Sequence, residues 1–313
     1  MTGRCYLVVC AFVCVLPAAF VRPAAAQTAS PKELPISSST RYDKGQSLQP
    51  VYEGWEQNAD GTYGMWFGYF NRNWKERLNI PVGPNNNIQP GGPDRGQPTI
   101  FETEDRRRLM FAFKVVLPAD WPKDRDLVWT LTANGVTLTA TGSLWPTWLV
   151  GDDIIASNRG TLRIFDWKST NTRPVVTEAP KGGTVAVGQP LTLSVGVKDD
   201  GQPRRPAPAE VSSERFDRGP ALPELPRIRD ALKVTWLQWR GPGTAKFDSY
   251  QVRVLEADGK YSGTGGKAIT TVSFDTPGTY VLKPYVEDMS LFTLPPDITV
   301  AVTGSLPSAS SQR

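Results

Sequence analysis

Histidine is missing from all 313 residues. Its absence excludes Ser-His-Asp and Cys-His arrangements, HExxH zinc helices and any imidazole general base. Cysteine is nearly missing: Cys5, Cys10 and Cys14 all fall within the first 26 residues. Once that segment is removed, no disulfide, thiolate nucleophile or cysteine metal ligand remains. A zinc site from carboxylates alone would be unusual, and no D-x-[DN]-x-[DN]-G calcium loop is present. The sequence therefore gives no reason to assign a cofactor, a metal or a catalytic residue. Any catalysis would rest on Asp/Glu, Lys, Tyr or an oxygen-bound cation.

Long apolar runs are also lacking. CYLVVCAFVCVLPAAF near the start is shorter than the roughly 20 residues that span a bilayer, and Pro17 interrupts it. With Arg4 before it and Ala24-Ala25-Ala26 after it, residues 1–26 read as a signal peptide cleaved before Gln27. This predicts export to the periplasm or cell exterior, with no membrane span in the mature protein. A lipid anchor would need a cysteine where Gln27 stands. An excess of one charge is lacking too. Without Arg4 and Arg22 the 35 basic residues fall to 33, against 31 acidic ones. Arg106-Arg107-Arg108 is the densest basic run, and Glu102, Glu104 and Asp105 precede it, so the run reads as a solvated strand start. No nucleic-acid partner is expected.

What is present is short alternating apolar runs separated by turn chemistry, which predicts an all-β protein of two β-sandwich domains. A flexible leader (27–46) is expected before the first sandwich (47–170). In TYGMWFGYFNRN (62–73), Met65, Phe67 and Tyr69 share one face while Trp66 and Phe70 take the other, so this strand is covered on both sides. RLMFAFKVVLP (108–118) is another strand. DLVWTLTANGVTLTATGSL (126–144) is a hairpin on a type I′ Asn134-Gly135 turn, and GTLRIFDW (160–167) could close the unit. The second sandwich (174–304) reads as one strand over 182–201, then a proline-rich charged insert (202–230). Strands follow at 232–243, 267–274, 278–288 and 297–304. Residues 305–313 read as a disordered tail.

Two resemblances follow from these residues. VGQPLTLSV, VTWLQW and TTVSFDTPGTYVLKPYVED resemble an immunoglobulin-like or PKD-like sandwich. Trp236 stands at the buried strand-C tryptophan, Tyr280 is similar to the tyrosine corner, and Leu282 stands in place of the usual cysteine. GYFNRN, IPVGPNN and PGGPD-x-GQPT-x-F (68–101) resemble the signature of a family of uncharacterised exported bacterial proteins. That resemblance implies an exported bacterial origin and the same two-part layout, but no reaction.

Residues 83–99, GPNNNIQPGGPDRGQPT, contain three asparagines, four glycines and four prolines, and no Lys, Glu or Ser. Disordered linkers favour the missing types, prolines lower unfolded-chain entropy, and Asn/Gln side chains can satisfy backbone groups. The stretch is expected to be an ordered loop pinned by Ile80, Val82, Ile100 and Phe101. The candidate binding residues are Asn71, Arg72, Asn73, Asn85, Asn86, Asn87, Asp94, Arg95 and Gln97. Eight of the ten tryptophans lie between 55 and 167. Trp66 and Trp129 belong to strands and core, while Trp55, Trp74, Trp121, Trp145 and Trp148 lie nearer turns, where sugar stacking is conceivable. Acids clustered at Glu53/Glu56/Asp60, Glu102/Glu104/Asp105 and Asp152/Asp153 read as solvated. Ser262–Ala268 fails the phosphate-loop pattern at Tyr261 and Ala268. The sequence therefore predicts a non-catalytic binding or structural protein with an unknown protein or glycan partner. The alternative is a carbohydrate-binding or carboxylate-based glycan-processing protein.

Overall fold

The computed structural model describes residues 41–103, 106–158, 170–203 and 231–304. The expected signal peptide, residues 27–40 of the leader, the strand at 160–167, the insert beyond residue 203 and the tail lie outside the described residues. So do Glu104 and Asp105.

The first half holds β1 (Leu48–Gln57), β2 (Tyr63–Asn71), β3 (Leu78–Asn79), β4 (Asn86–Gln89), β5 (Ile100–Phe101), β6 (Arg108–Leu117), β7 (Leu127–Ala133) and β8 (Val136–Gly142). One sheet runs β1-β2-β6 and a second β4-β7-β8, with a small β3-β5 ladder beside them. The alternation in β2 dictates its place. Met65, Phe67 and Tyr69 pack with Phe113, Val115, Trp129 and Leu131 in the first core. Trp66 points the other way, into a separate cluster with Phe111, Tyr285 and Phe292. At the β7–β8 turn Asn134 and Gly135 have φ of 49° and 77°, the two positive values a type I′ turn requires.

The middle of β2 also carries an irregularity. Pairing slips on both sides of Gly68, between Tyr52 and Gly54 in β1 and between Leu109 and Phe113 in β6. A Cβ at Gly68 would strike the Glu53 carboxylate and the Leu109 carbonyl. Phe111, fully buried in this bulge, adopts a left-handed φ of 49°, a strained value for a bulky residue.

The second half holds a short helix α1 (Asp152–Asn158), then β9 (Val175–Glu178), β10 (Gly183–Ala186), β11 (Leu191–Lys198), β12 (Lys233–Arg240), β13 (Ala245–Phe247), β14 (Gln251–Arg253), β15 (Gly265–Phe274), β16 (Gly278–Glu287), β17 (Phe292–Thr293) and β18 (Ile298–Thr303). One sheet has the order β13-β15-β11-β9, the other β10-β18-β16-β12-β14. Between them Leu193, Val195, Val234, Trp236, Tyr280, Leu282 and Val300 form the second core. This is an immunoglobulin-like sandwich. Its opening segment divides, β9 edging one sheet and β10 pairing parallel with the last strand, β18. The Tyr280 hydroxyl donates to the Thr276 carbonyl at 2.9 Å, the tyrosine-corner bond. Leu282 lies fully buried where a disulfide cysteine would otherwise stand.

The single strand expected over 182–201 is two strands. Gly188, with φ of 76°, lets the chain leave β10 and cross to the opposite sheet as β11.

β12 is buried along nearly its whole length because it faces two cores. Val234 and Trp236 point into the second core, whereas Trp239 inserts into the first. Tyr285 of β16 meets Trp66 and Phe111 together with Val150, Ile155 and Ala156. The β12/β16 sheet is therefore a middle layer, covered by its own sandwich on one face and by the first sandwich on the other. Pro284 is tolerated in β16 because the pairing with β18 has ended at Leu282, so no ladder bond is lost there.

Candidate functional site

The asparagine-rich segment is ordered from within. Asn86, fully buried, starts β4 and pairs with Leu131 of β7. Its amide donates to the Ile80 and Pro98 carbonyls at 2.9 and 2.8 Å, and its oxygen accepts from Trp129 Nε1 at 3.0 Å. Gln97, also fully buried, donates to the Asn86 and Pro93 carbonyls and accepts from the Arg95 backbone N–H. Asn87 donates to the Pro84 carbonyl, while Asn85 is exposed.

The segment then docks on the end of β12. Trp239 Nε1 donates to the Gly96 carbonyl at 2.8 Å, and Thr99 N–H donates to the Trp239 carbonyl at 3.0 Å. Arg240 forks onto both Asp94 oxygens at 2.8 and 2.7 Å and also donates to the Gln97 carbonyl. The Arg240 hydrogen bonds pull the Asp94 carboxyl down to about 2. Arg77 extends the seam, donating to Gln238 Oε1 and pairing with Glu102. Glu102 is buried between Arg77 and Arg106, so the solvated state expected for it is corrected. Two guanidinium groups flank the carboxylate, each 3.3 Å from it.

Asn71 and Asn73 are fully buried and serve the chain's own backbone. Asn71 donates to the carbonyls of Glu76, Phe101 and Glu102; Asn73 bridges Gln46 and Asn71. Arg72 is exposed between them. The structure thus gathers Asn86, Asp94, Arg95 and Gln97 at one seam and places Asn71, Arg72 and Asn73 apart from it.

Arg95 leads to the cleft. Its side chain crosses Gly91, where a Cβ would collide with the guanidinium, and donates from Nη2 to the Pro90 carbonyl at 2.7 Å. Beyond it opens a cleft of about 600 Å³ between the two sandwiches. Trp66, Phe113 and Lys114 line it from the first sandwich, Lys283 and Phe292–Asp297 from the second, with Arg173 at the junction.

Four cations border this space. Lys114 Nζ reaches Glu56 at 2.9 Å and Arg173 reaches the same carboxylate at 3.3 Å and Asp152 at 2.7 Å. Burial works against Glu56 ionising, but the hydrogen bond and charge of Lys114 outweigh it, and its pKa falls. Burial likewise opposes the charge on Arg173, yet Asp152 and Glu56 raise its pKa. Lys283, only 7% exposed, meets Asp297 at 2.5 Å and lies 4.6 Å from the centre of the Trp239 ring. Sequence reasoning marked Arg95 alone among these groups, because the others are isolated basic residues in unrelated segments.

The tryptophans divide. Trp66 and Trp129 are buried. Trp145 and Trp148 are 64% and 47% exposed on a single turn of 3-10 helix. That turn is held by the Trp55 indole donating to the Trp145 carbonyl and by Tyr52 packing on Trp148 at 5.4 Å.

No protein-family model matches the chain, and no curated protein matches it. Solved structures do. The N-terminal Ig1-2 module of Drosophila receptor protein tyrosine phosphatase DLAR is 10% identical, covering 83% of this chain and 100% of that one, with a TM-score of 0.28. The D00-D0 domain of intimin is 12% identical over 82% of this chain and 100% of that one, TM-score 0.25. The N-terminal eight Ig domains of Down syndrome cell adhesion molecule are 7% identical over 82% of this chain and 24% of that one, TM-score 0.25. These superpositions are loose. The immunoglobulin-like description rests on the chain's own sheet order and tyrosine corner.

Proposed function

We propose that this is an exported, non-catalytic binding protein of the periplasm or cell exterior, and that its ligand is held in the cleft between the sandwiches. The observation that carries the reading is that both sandwiches wall one preformed space, held by the Trp239 and Asp94–Arg240 contacts. A pre-organised site avoids much of the ordering cost of binding. The GYFNRN…GQPT resemblance supports placing it with the exported bacterial family, and the signal-like residues 1–26 support export. No helix among the described residues is long and apolar enough to cross a membrane. The cleft's acid, Asp297, is engaged by Lys283, and Glu56 by Lys114 and Arg173. Neither carboxylate is placed as half of a free acid/base pair. Mass spectrometry of the exported protein should find an N-terminus at Gln27, and the purified protein should leave polysaccharide, ester and peptide substrates intact. Turnover of any of them would overturn the reading.

A second reading, carbohydrate binding, is favoured by the exposure of Trp145 and Trp148 on one rigid turn. Aromatic faces that stay in water are suited to stacking on sugar rings. Replacing Trp145, whose side chain is the more exposed of the two, with alanine should leave thermal stability nearly unchanged and weaken retention on an insoluble glycan. Equal retention would remove this reading.

A further inference from the structure

We propose that the cleft selects a small ring compound bearing one oxyanion, a carboxylate or a phosphate, and that Arg95 supplies the recognising charge. The proposal rests on the reading that the cleft is the binding site. The groups on its wall are overwhelmingly donors. Arg95, Lys114, Arg173 and Lys283 carry positive charge, and Asp297 is the acid among the residues lining the cleft.

The cations differ in what already satisfies them. Lys114 and Arg173 share Glu56, Arg173 adds Asp152, and Lys283 holds Asp297. Among the described residues Arg95 has no carboxylate partner; its guanidinium donates to a neutral carbonyl, that of Pro90. A guanidinium offers five N–H donors in a planar fork that fits a carboxylate or phosphate edge.

Trp66 lines the cleft at 3% exposure, and its indole N–H is turned to the Glu56 carboxylate, which it helps keep ionised. The apolar part of the wall is supplied by Phe113, Phe292, Leu294, Pro295 and Pro296. A volume of about 600 Å³ suits one or two rings rather than a polymer. The ligand that fits is compact, apolar or sugar-like in body and singly acidic.

The test is calorimetric titration of the mature protein with glucuronate, glucose 6-phosphate and glucose, with hydrogen exchange locating the bound probe. Either anion should bind at least about tenfold tighter than glucose, the worth of one charge-assisted hydrogen bond, and protect segments 95–96, 113–114 and 293–297. Arg95→Gln should lose that advantage; Lys260→Gln, on an exposed lysine far along the chain, should keep it. Added salt should weaken the anions and not glucose. If glucose binds the cleft as tightly as the anions, the oxyanion proposal fails while the binding reading stands. If no probe protects those segments, the binding reading itself fails. Should Arg95→Gln loosen residues 83–99, Arg95→Lys decides: it must retain anion preference in weakened form, and equal loss of all probes overturns the proposal.

Discussion

Asn86 commits its whole amide to the chain, with two donated bonds to carbonyls and one accepted from Trp129 Nε1. Truncating it leaves three buried groups unsatisfied, so Asn86→Ala should cost roughly 2–4 kcal/mol, read as a shift in urea midpoint. Asn85→Ala, on an exposed side chain, should change stability by less than about 0.5 kcal/mol. Equal effects would contradict the ordering described for this segment.

Glu53 makes the opposite kind of prediction. Burial raises its pKa from 4.5 to about 7, although the Arg108 charge and the Phe111 backbone hydrogen bond oppose the shift. Burial also raises Asp199 to about 7; Gly201 opposes, and Asp288 and Asp200 add to the rise. The folded state holds these protons more tightly, so stability should fall as pH rises from about 4.5 to about 7. Asp94, lowered to about 2, stabilises above its ordinary 3.8 and ceases to as pH falls toward 2. The midpoint temperature of thermal denaturation should therefore be highest near pH 4–5. Glu53→Gln should raise the midpoint at pH 8 and leave it little changed at pH 4.5. An unaltered profile would show that Glu53 is not the titrating group.

At the scale of elements, β12 carries the greatest consequence. Trp239→Ala removes a fully packed indole from the first core and breaks the bond to Gly96. It should cost about 3–5 kcal/mol and expose residues 83–99 to limited proteolysis. Arg240→Gln should open the same segment with a smaller loss. β2 was legible because its two apolar faces are written in consecutive residues, as was the Asn134-Gly135 hairpin, whose turn is local. β4 was not legible: NNIQ holds one apolar residue, and its partner β7 lies some forty positions away. Nor was the break between β10 and β11, where apolar residues resume at once beyond the crossing and only Gly188 and Pro190 mark it. The docking of residues 94–99 on β12 spans a sequence separation of 143, beyond the reach of any periodicity.

For the molecule as a whole, the all-β architecture with an immunoglobulin-like second sandwich was readable from alternation, turns and the Trp236/Tyr280 pair. The cleft was not. Its cations come from four separate segments, and nothing in a lone Lys114 or Lys283 announces a shared space. A binding site formed by two rigidly joined sandwiches should show little change of shape on loading. Small-angle scattering with and without a bound anion should superimpose, and a marked contraction would mean the halves hinge.

Trp239 has one more implication, and it concerns order of synthesis. Domains commonly fold as they emerge, N-terminal first. Here the first core needs an indole encoded more than a hundred residues after β7. Until residue 239 leaves the ribosome, the earlier strands carry an unfilled hydrophobic socket and must either wait or be sheltered. For the same reason, the first half is not a portable cassette. Grafted onto another protein, residues 41–151 would bring a vacancy with them, and a Leu or Phe introduced at the gap would be the repair to try.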